Sequence, residues 1–471
     1  MWVLHGGFEL LDREGNQTMK KNKTRGLILC AGILLSFFGC TVFGNSFLIY
    51  QQPTSVKKKY IAPDEGDYFL AVTVSGGGSR SAVWCAAVFR ELFEQIKLPD
   101  GRSILDEIDY ISCVSGGSLA SAYYCMNKPP VDTTHTEKYT EFFEKYLADM
   151  RTNIEQNIFL RPWLWYRVLY RSEELGLLLK EEFDEKFFYS RSFDDLYKRQ
   201  DLGWCPTLII NGTGMDTGSK FLFTTLSRSD FDFMPIFASE IVSGTGIGKS
   251  NIHFEDEVLG LTFCDDIGLS IGDMDVSRAV VASSAVPLVF GPIVLKDQTD
   301  PDAQNDTYLH ISDGGVTDSL GLETVLQLII DRFGEKDGKK YRGGMVIILD
   351  VAPRVNPEDS ENLVRGFSAA ETISQTMRIN QARGKTLTYV TTIFLQNDPR
   401  FKDIAFVYIS PYMIDNPEMI EKVKKTATRF KIKPELADNL ECAAEIAVGR
   451  VKDRIIANFE GRKFPETSSV R

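Results

Sequence analysis

Ser115 stands in Cys113-Val114-Ser115-Gly116-Gly117, where the apolar, strand-like run DYISCVS gives way to small residues suited to a close-packed helix. A serine between strand and helix, with small neighbours on either side, matches the G-x-S-x-G elbow, whose sharp turn lifts the serine Oγ above a sheet as a nucleophile. Here Cys113 replaces the first glycine of that pattern. Serines beside glycines are also commonplace in ordinary turns, so these residues alone leave both readings open.

An elbow serine needs donors for the charge that develops on the substrate oxygen. The stretch FLAVTVSGGGSRSAVWCAAVF places Gly76-Gly77-Gly78-Ser79-Arg80 between a buried strand and a helix. Glycines let backbone N–H groups approach a ligand with no Cβ in the way, and the helix N-terminus adds partial positive charge. Such a loop suits an anion. A dinucleotide phosphate is one occupant, but the third glycine of that fingerprint and its acidic strand end are missing. A transient oxyanion is the other.

The serine also needs a base. The chain has four histidines: His5 precedes the fold, His135 lies in a helical stretch, His253 is in a polar loop, and His310 lies near a strand end. Three residues after His310, Asp313 follows the strand-like YLHIS and precedes Gly314 and Gly315. Carboxyl ends of strands are where ligands gather in open α/β sheets. A Ser-Asp dyad therefore suits the sequence better than a triad, although Asp313-Gly314 taken alone also reads as a simple turn.

These groups need a frame. The runs YFLAVTVS, DYISCVS, TLIINGT, KFLFTTL, YLHISD, GMVIILDVA and IAFVYIS read as strands, with amphipathic segments such as SAVWCAAVFRELFEQI between several of them. Near-continuous apolar strands alternating with helices predict an α/β fold, three layers with a largely parallel central sheet. Residues 130–203 are aromatic-rich and helical in pattern, predicting a cap inserted over the sheet. Within it, NIFLRPWLWYRVLYR mixes aromatics with arginines, as either an interfacial segment or a solvated cap helix does. Near the C-terminus, Leu436, Leu440, Ala444, Ala447, Val451, Ile455 and Phe459 recur at steps of three or four and predict a core-facing helix.

The 471 residues are 43% hydrophobic and 25% charged, a globular composition. A net charge of -12 argues against nucleic acid as the main partner. The eight cysteines lack the paired short spacing of a zinc site, and neither a metal nor another cofactor is expected.

At the other end, a cluster of basic residues after Met19 precedes an apolar run that reaches Cys40. That is the layout of a secretory signal, with Met19 as the expected start. Phe37-Phe38-Gly39-Cys40 resembles a lipobox, which would make Cys40 a lipidated N-terminus on the extracytoplasmic side of a bacterial membrane. The alternative is an uncleaved single anchor over residues 26–43. The expected organisation is a start and anchor region (1–40), a tether (41–67), a body (68–460) carrying the 130–203 cap, and a tail (461–471).

SGGGSR, SCVSGGS and SDGGVTDSLG, in that order and all at strand ends, resemble the patatin-like phospholipase family. PTLIINGTGMDTGSKFLFT and SRAVVASSAVPLVFGPI resemble it too, and the likeness runs over about residues 68–352. It implies a metal-free acyl hydrolase of glycerolipid esters, phospholipid or lysophospholipid, with membrane lipids as partners. Carried over by position, Ser115 is the nucleophile and Asp313 its base. Gly76, Gly77 and Gly78 with nearby Arg80 form the oxyanion hole, and Gly116, Gly117 and Gly314 contact substrate. Departures are Cys113 for the elbow glycine, where restoring glycine is expected to leave activity unchanged or raise it, and Ser319 where the family often has asparagine. A non-catalytic lipid-binding or scaffolding lipoprotein and an acyltransferase are the competing functions.

Overall fold

The computed structural model describes residues 49–50, 52, 60, 68–98, 101–130, 137–159, 174–231, 261–286, 291–300, 306–333, 341, 343–351, 392, 397–399, 401–424 and 429–463. Cys40, Met19, the anchor stretch, His5, His135, His253 and residues 160–173 of the aromatic-cationic segment lie outside them.

The described strands are β1 (Ile49–Tyr50), β2 (Tyr68–Val74), β3 (Tyr110–Val114), β4 (Thr207–Gly214), β5 (Lys220–Phe223), β6 (Leu261–Phe263), β7 (Ile293–Lys296), β8 (Tyr308–Asp313), β9 (Gly343–Leu349) and β10 (Ile404–Ile409). The helices are α1 (Ser79–Gln95), α2 (Gly116–Asn127), α3 (Glu137–Met150), α4 (Ile154–Phe159), α5 (Glu174–Phe183), α6 (Phe193–Asp201), α7 (Val276–Ser283), α8 (Leu322–Phe333), α9 (Pro417–Lys424) and α10 (Pro434–Lys463). All strands join one ten-stranded sheet. β10, β9, β2, β3 and β4 run parallel side by side.

Every residue of β2, β3, β4 and β9 is buried, because both faces of the sheet are covered. One face meets α1, α2, α7 and α10, and the other packs on α8 through a second apolar cluster that includes Phe69, Tyr110 and Leu326. This is the expected three-layer α/β/α arrangement with a mostly parallel sheet. α1 carries Ala82, Ala86 and Ala87, small enough for close packing between the sheet and α10. α10 buries Leu440, Ala444, Ala447, Val451, Ile455 and Phe459 as its spacing predicts, with Leu436 half-buried.

The described parts of the 130–203 insertion are helical. Its aromatics pack inward: Tyr146 stacks on Tyr123 at 5.0 Å and donates its hydroxyl to the Ala120 carbonyl at 2.7 Å. A five-residue π-turn, Asp184–Phe188, adds Phe187 and Phe188 to the same cluster.

The sheet begins ahead of Tyr68. Within the stretch read as a tether, Ile49 and Tyr50 pair in parallel with Val294 and Leu295. Gln52 exchanges hydrogen bonds with Ser270 and Gln298, and Tyr60 donates to Asp194 at 2.8 Å. Three short strands, β1, β6 and β7, are the ones the sequence pattern did not announce.

The edges of β4 explain how the candidate site assembles. β5 runs antiparallel along one edge, pairing with Ile210 to Thr213. β3 pairs with Thr207 to Asn211 and β8 with Gly212 to Gly214, so these two must share the opposite edge. β3 runs parallel to β4 and β8 antiparallel, and they therefore meet end to end. Val114 lies opposite Asn211, and Asp313 lies opposite Gly212, the next residue.

Candidate active site

Ser115 is the first residue past β3 and adopts φ 53°, ψ -124°, a region side-chain-bearing residues seldom enter. Such backbone costs about 1–3 kcal/mol and persists only where the surroundings hold it. Its N–H donates to Ser283 Oγ at 2.9 Å, and its carbonyl accepts the N–H groups of Ser118 and Leu119. Close packing also forces the turn. A Cβ on Gly116 would overlap the Gly78 carbonyl, and one on Gly117 would lie 2.7 Å from the Ser75 carbonyl. Gly116 and Gly117, read from the sequence as substrate contacts, thus leave no room for a side chain.

A serine in a plain turn would spend its hydroxyl capping the following helix. Ser115 makes no such cap on α2; its hydroxyl lies close enough to the Asp313 carboxyl to counter the rise that burial imposes on it. Both residues are 4% exposed.

Asp313 closes β8 and is fixed on three sides. Its N–H donates to the Ala285 carbonyl at 3.0 Å, its carbonyl accepts from Thr213 Oγ1 at 2.9 Å, and Oδ1 accepts the Gly315 N–H at 2.7 Å. The last bond is the aspartate turn the sequence allowed, and it coexists with the contact to Ser115. Gly314 is obligatory because a Cβ there would overlap the Asn211 carbonyl. Burial raises the Asp313 carboxyl to about 6, against the lowering effect of the Gly315 N–H and the Ser115 hydroxyl. A carboxylate of that basicity accepts a proton more readily than a solvated one.

The glycine loop is pinned at both ends. Gly76 donates its N–H to the Ser319 carbonyl at 3.1 Å, and Ser79 donates to the Arg429 carbonyl at 2.8 Å. Gly76 therefore leaves the donor set expected from the sequence. Between the pins, the amides of Gly77 and Gly78 carry no hydrogen bond among the described residues. Gly78 has φ +60°, and a Cβ there would lie 2.5 Å from the Arg429 oxygen, so glycine is required on both counts. Gly116 packs directly on Gly78, which puts the loop against the elbow. Arg80 is buried, its Nη2 3.6 Å from the place a Gly77 Cβ would take. Its charge sits behind the loop and draws on nearby Tyr412, whose hydroxyl burial still pushes up to about 12.

Beneath the pair lies a polar network that sequence reasoning missed. Ser283 Oγ accepts from Ser115 N–H, donates to the Asn211 carbonyl at 2.6 Å and meets Ser118 Oγ at 3.0 Å. The Asn211 amide donates to Ser112 Oγ and the Cys113 carbonyl, and its oxygen accepts from Thr324. Five elements, β3, α2, β4, α7 and α8, are thereby joined around Ser115. Ser283 falls in the SRAVVASSAVP block, but nothing in its spacing announced the role.

The two departures from the elbow and aspartate patterns have local explanations. Cys113 is fully buried on β3 between Val74 and Ile210, with its Sγ toward the Ile209 carbonyl at 3.3 Å, so the side chain points into the core and does not crowd the turn. Burial pushes its thiol up to about 12. Ser319 acts on Gly76 through its carbonyl, a contact indifferent to the side chain. His310 pairs with Asp216 through Nδ1 at 3.1 Å. Among the described residues, no cluster of His, Cys, Asp and Glu could hold a metal ion.

Solved structures similar to this chain include three proteins. Human GIVD cytosolic phospholipase A2 is 10% identical, with 83% of this chain and 60% of that chain covered and a TM-score of 0.43. VipD from Legionella pneumophila is 11% identical over 86% of this chain and 72% of that one, with a TM-score of 0.30. ExoU from Pseudomonas aeruginosa, solved with SpcU, is 14% identical over 74% and 61%, with a TM-score of 0.25. The chain spans about three fifths of the phospholipase A2 it matches. A comparison with curated protein sequences finds no match. The family model described as patatin-like phospholipase matches residues 72–326, more than half of the chain, from β2 through the aspartate segment into α8. The chain belongs to the patatin-like phospholipase family, a family of lipid acyl hydrolases.

Proposed function

We propose that this protein is a serine hydrolase of glycerolipid esters, with phospholipid or lysophospholipid as substrate, working through a Ser115–Asp313 dyad and an acyl-enzyme. The observation that carries the reading is Ser115, on a strained elbow turn, set beside the buried and raised Asp313 carboxyl and next to Gly77 and Gly78, whose amides have no partner among the described residues. Asp313 takes the Ser115 proton as Oγ attacks the ester carbonyl. The tetrahedral oxyanion accepts the N–H groups of Gly77 and Gly78, with the charge of Arg80 behind them. As the C–O bond to the glycerol oxygen breaks, Asp313 returns the proton to that oxygen. Asp313 then deprotonates a water, which attacks the acyl-Ser115 ester and frees the fatty acid, and the proton goes back to Ser115.

The sequence also supports work at a membrane, on the extracytoplasmic side, held through lipidated Cys40 or through an uncleaved anchor. The apolar stretch that carries this reading lies outside the described residues, and no helix among those described is long and apolar enough to cross a membrane.

The test is fatty-acid release from mixed phospholipid vesicles by wild type and Ser115→Ala. The expected loss in the variant is about 10⁴-fold or more. Equal release by both proteins sinks the dyad. Repeating the assay with competing alcohols separates hydrolysis from acyl transfer by its products.

A further inference from the structure

The N-terminus of α1 has no side-chain cap. Four N–H groups at a helix start lack partners within the helix, and each must go somewhere. Here Ser81 and Ala82 reach back to the Gly78 carbonyl, and Ser79 is taken by the carbonyl of Arg429. Arg429 opens a short strap, Arg429–Lys433, that leads into α10 from more than 340 residues further along the chain than Ser79. The strap backbone lies so close to the loop that only glycine fits at position 78.

What holds the strap is the start of α4, in the cap. The Phe430 carbonyl accepts the N–H of Ile154 at 3.1 Å and of Glu155 at 3.4 Å. In return, the Phe430 N–H donates to Glu155 Oε1 at 3.2 Å, while Glu155 Oε2 pairs with Lys431 at 3.2 Å. Phe430 and Ile432 pack against the main core. Glu155 thus both gives and receives a backbone-directed bond on one residue, and the adjoining residue places its carbonyl on the oxyanion loop.

We propose that Glu155 is a positioning residue for the oxyanion hole: it clamps Phe430 so that the Arg429 carbonyl occupies Ser79 N–H and leaves Gly77 and Gly78 as the donors that face the substrate. The strap thereby couples the cap to the catalytic loop. The exposed ion pair with Lys431 contributes little by itself; the backbone acceptor is the part that matters. This inference rests on the reading of the glycine loop as the hole.

Two measurements on Glu155→Ala and Glu155→Gln test it. The first is amide hydrogen exchange of the segment containing Gly76 to Ser79, which needs no activity and so separates failure of the strap from failure of the hydrolase assignment. Exchange should quicken in Glu155→Ala and return toward wild type in Glu155→Gln, whose amide oxygen still accepts from Phe430. The second is turnover of a soluble p-nitrophenyl ester. Glu155→Ala should lower kcat roughly tenfold with KM unchanged, less than the ~10²–10³ lost on deleting a hole donor outright, and glutamine should restore most of it. Unchanged exchange in Glu155→Ala overturns the clamp, as does wild-type kcat accompanied only by a lower melting temperature. A glutamine variant as impaired as alanine overturns the role given to the acceptor. If Glu155→Ala does not fold, Glu155→Gln set against Glu155→Leu answers the same two questions.

Discussion

Ser115 and Asp313 meet because β3 and β8 run toward each other along one edge of β4 and stop at adjacent registers, Val114 opposite Asn211 and Asp313 opposite Gly212. Almost 200 residues separate the two in the chain, yet a single strand sets their spacing. Neither depends on a loop for its place, which is how a site gains the positional accuracy that proton transfer needs.

The first consequence is a pH profile. Asp313 must be ionised to accept a proton, and burial raises it to about 6. kcat/KM should therefore rise with pH through about 6 and level off above it. His310→Ala should keep this limb, because His310 is engaged with Asp216. A rate-versus-pH series on a soluble ester, run for both proteins, makes the check; a limb that disappears with His310 contradicts the assignment.

The same carboxyl makes a statement about stability. Its folded value lies above the ordinary carboxylate range of about 3.9, so between those values the folded state binds more protons than the unfolded. The stabilisation is fully present below the unfolded value and is lost as pH rises through about 6. Asp313→Asn abolishes that loss and still accepts from Gly315. It should be more stable than wild type at pH 8, on the order of 2 kcal/mol, with a smaller gain at pH 4. Urea unfolding at the two pH values reads the difference.

Ser283 holds the strained turn by accepting the Ser115 N–H. Ser283→Ala leaves that N–H and the Asn211 carbonyl short of a partner in a buried place. Stability should fall by about 1–3 kcal/mol. Turnover should fall as well, since the φ 53° geometry of Ser115 loses its support. Denaturant midpoints and kcat measured together separate this from a loss of folding alone.

Cys113→Gly narrows an expectation drawn from the sequence, that glycine would leave activity unchanged or raise it, to the first outcome and adds a cost in stability. The thiol fills core space on a central strand and points toward the Ile209 carbonyl. Glycine there removes packing and adds backbone entropy to the unfolded chain, at a cost of about 1–3 kcal/mol. Activity per folded molecule should stay near wild type with no gain. Thermal unfolding and active-site titration give the two numbers.

How much of this was legible in the sequence depends on the kind of signal. Unbroken β-branched and aromatic runs made β2, β3, β4, β5, β8, β9 and β10 readable, and periodicity did the same for the buried face of α10. β1, β6 and β7 went unread: β1 and β6 span two and three residues, too few for a period to show, and β1 hid in polar surroundings. Ser115, Asp313 and the glycine loop stood out because each follows a strand. Ser283, Asn211 and Glu155 did not, since they act on backbone groups far away in the chain, and no local pattern encodes such a bond. The Arg429 carbonyl is the extreme case: a backbone acceptor leaves no mark on side-chain identity, although the glycine it demands at position 78 does.

The dyad is tested most directly by covalent labelling with a fluorophosphonate, mapped by mass spectrometry, in wild type, His310→Ala and Asp313→Ala. The account predicts a label on Ser115 in the first two proteins and none in the third. A label that survives in Asp313→Ala, or vanishes in His310→Ala, contradicts it.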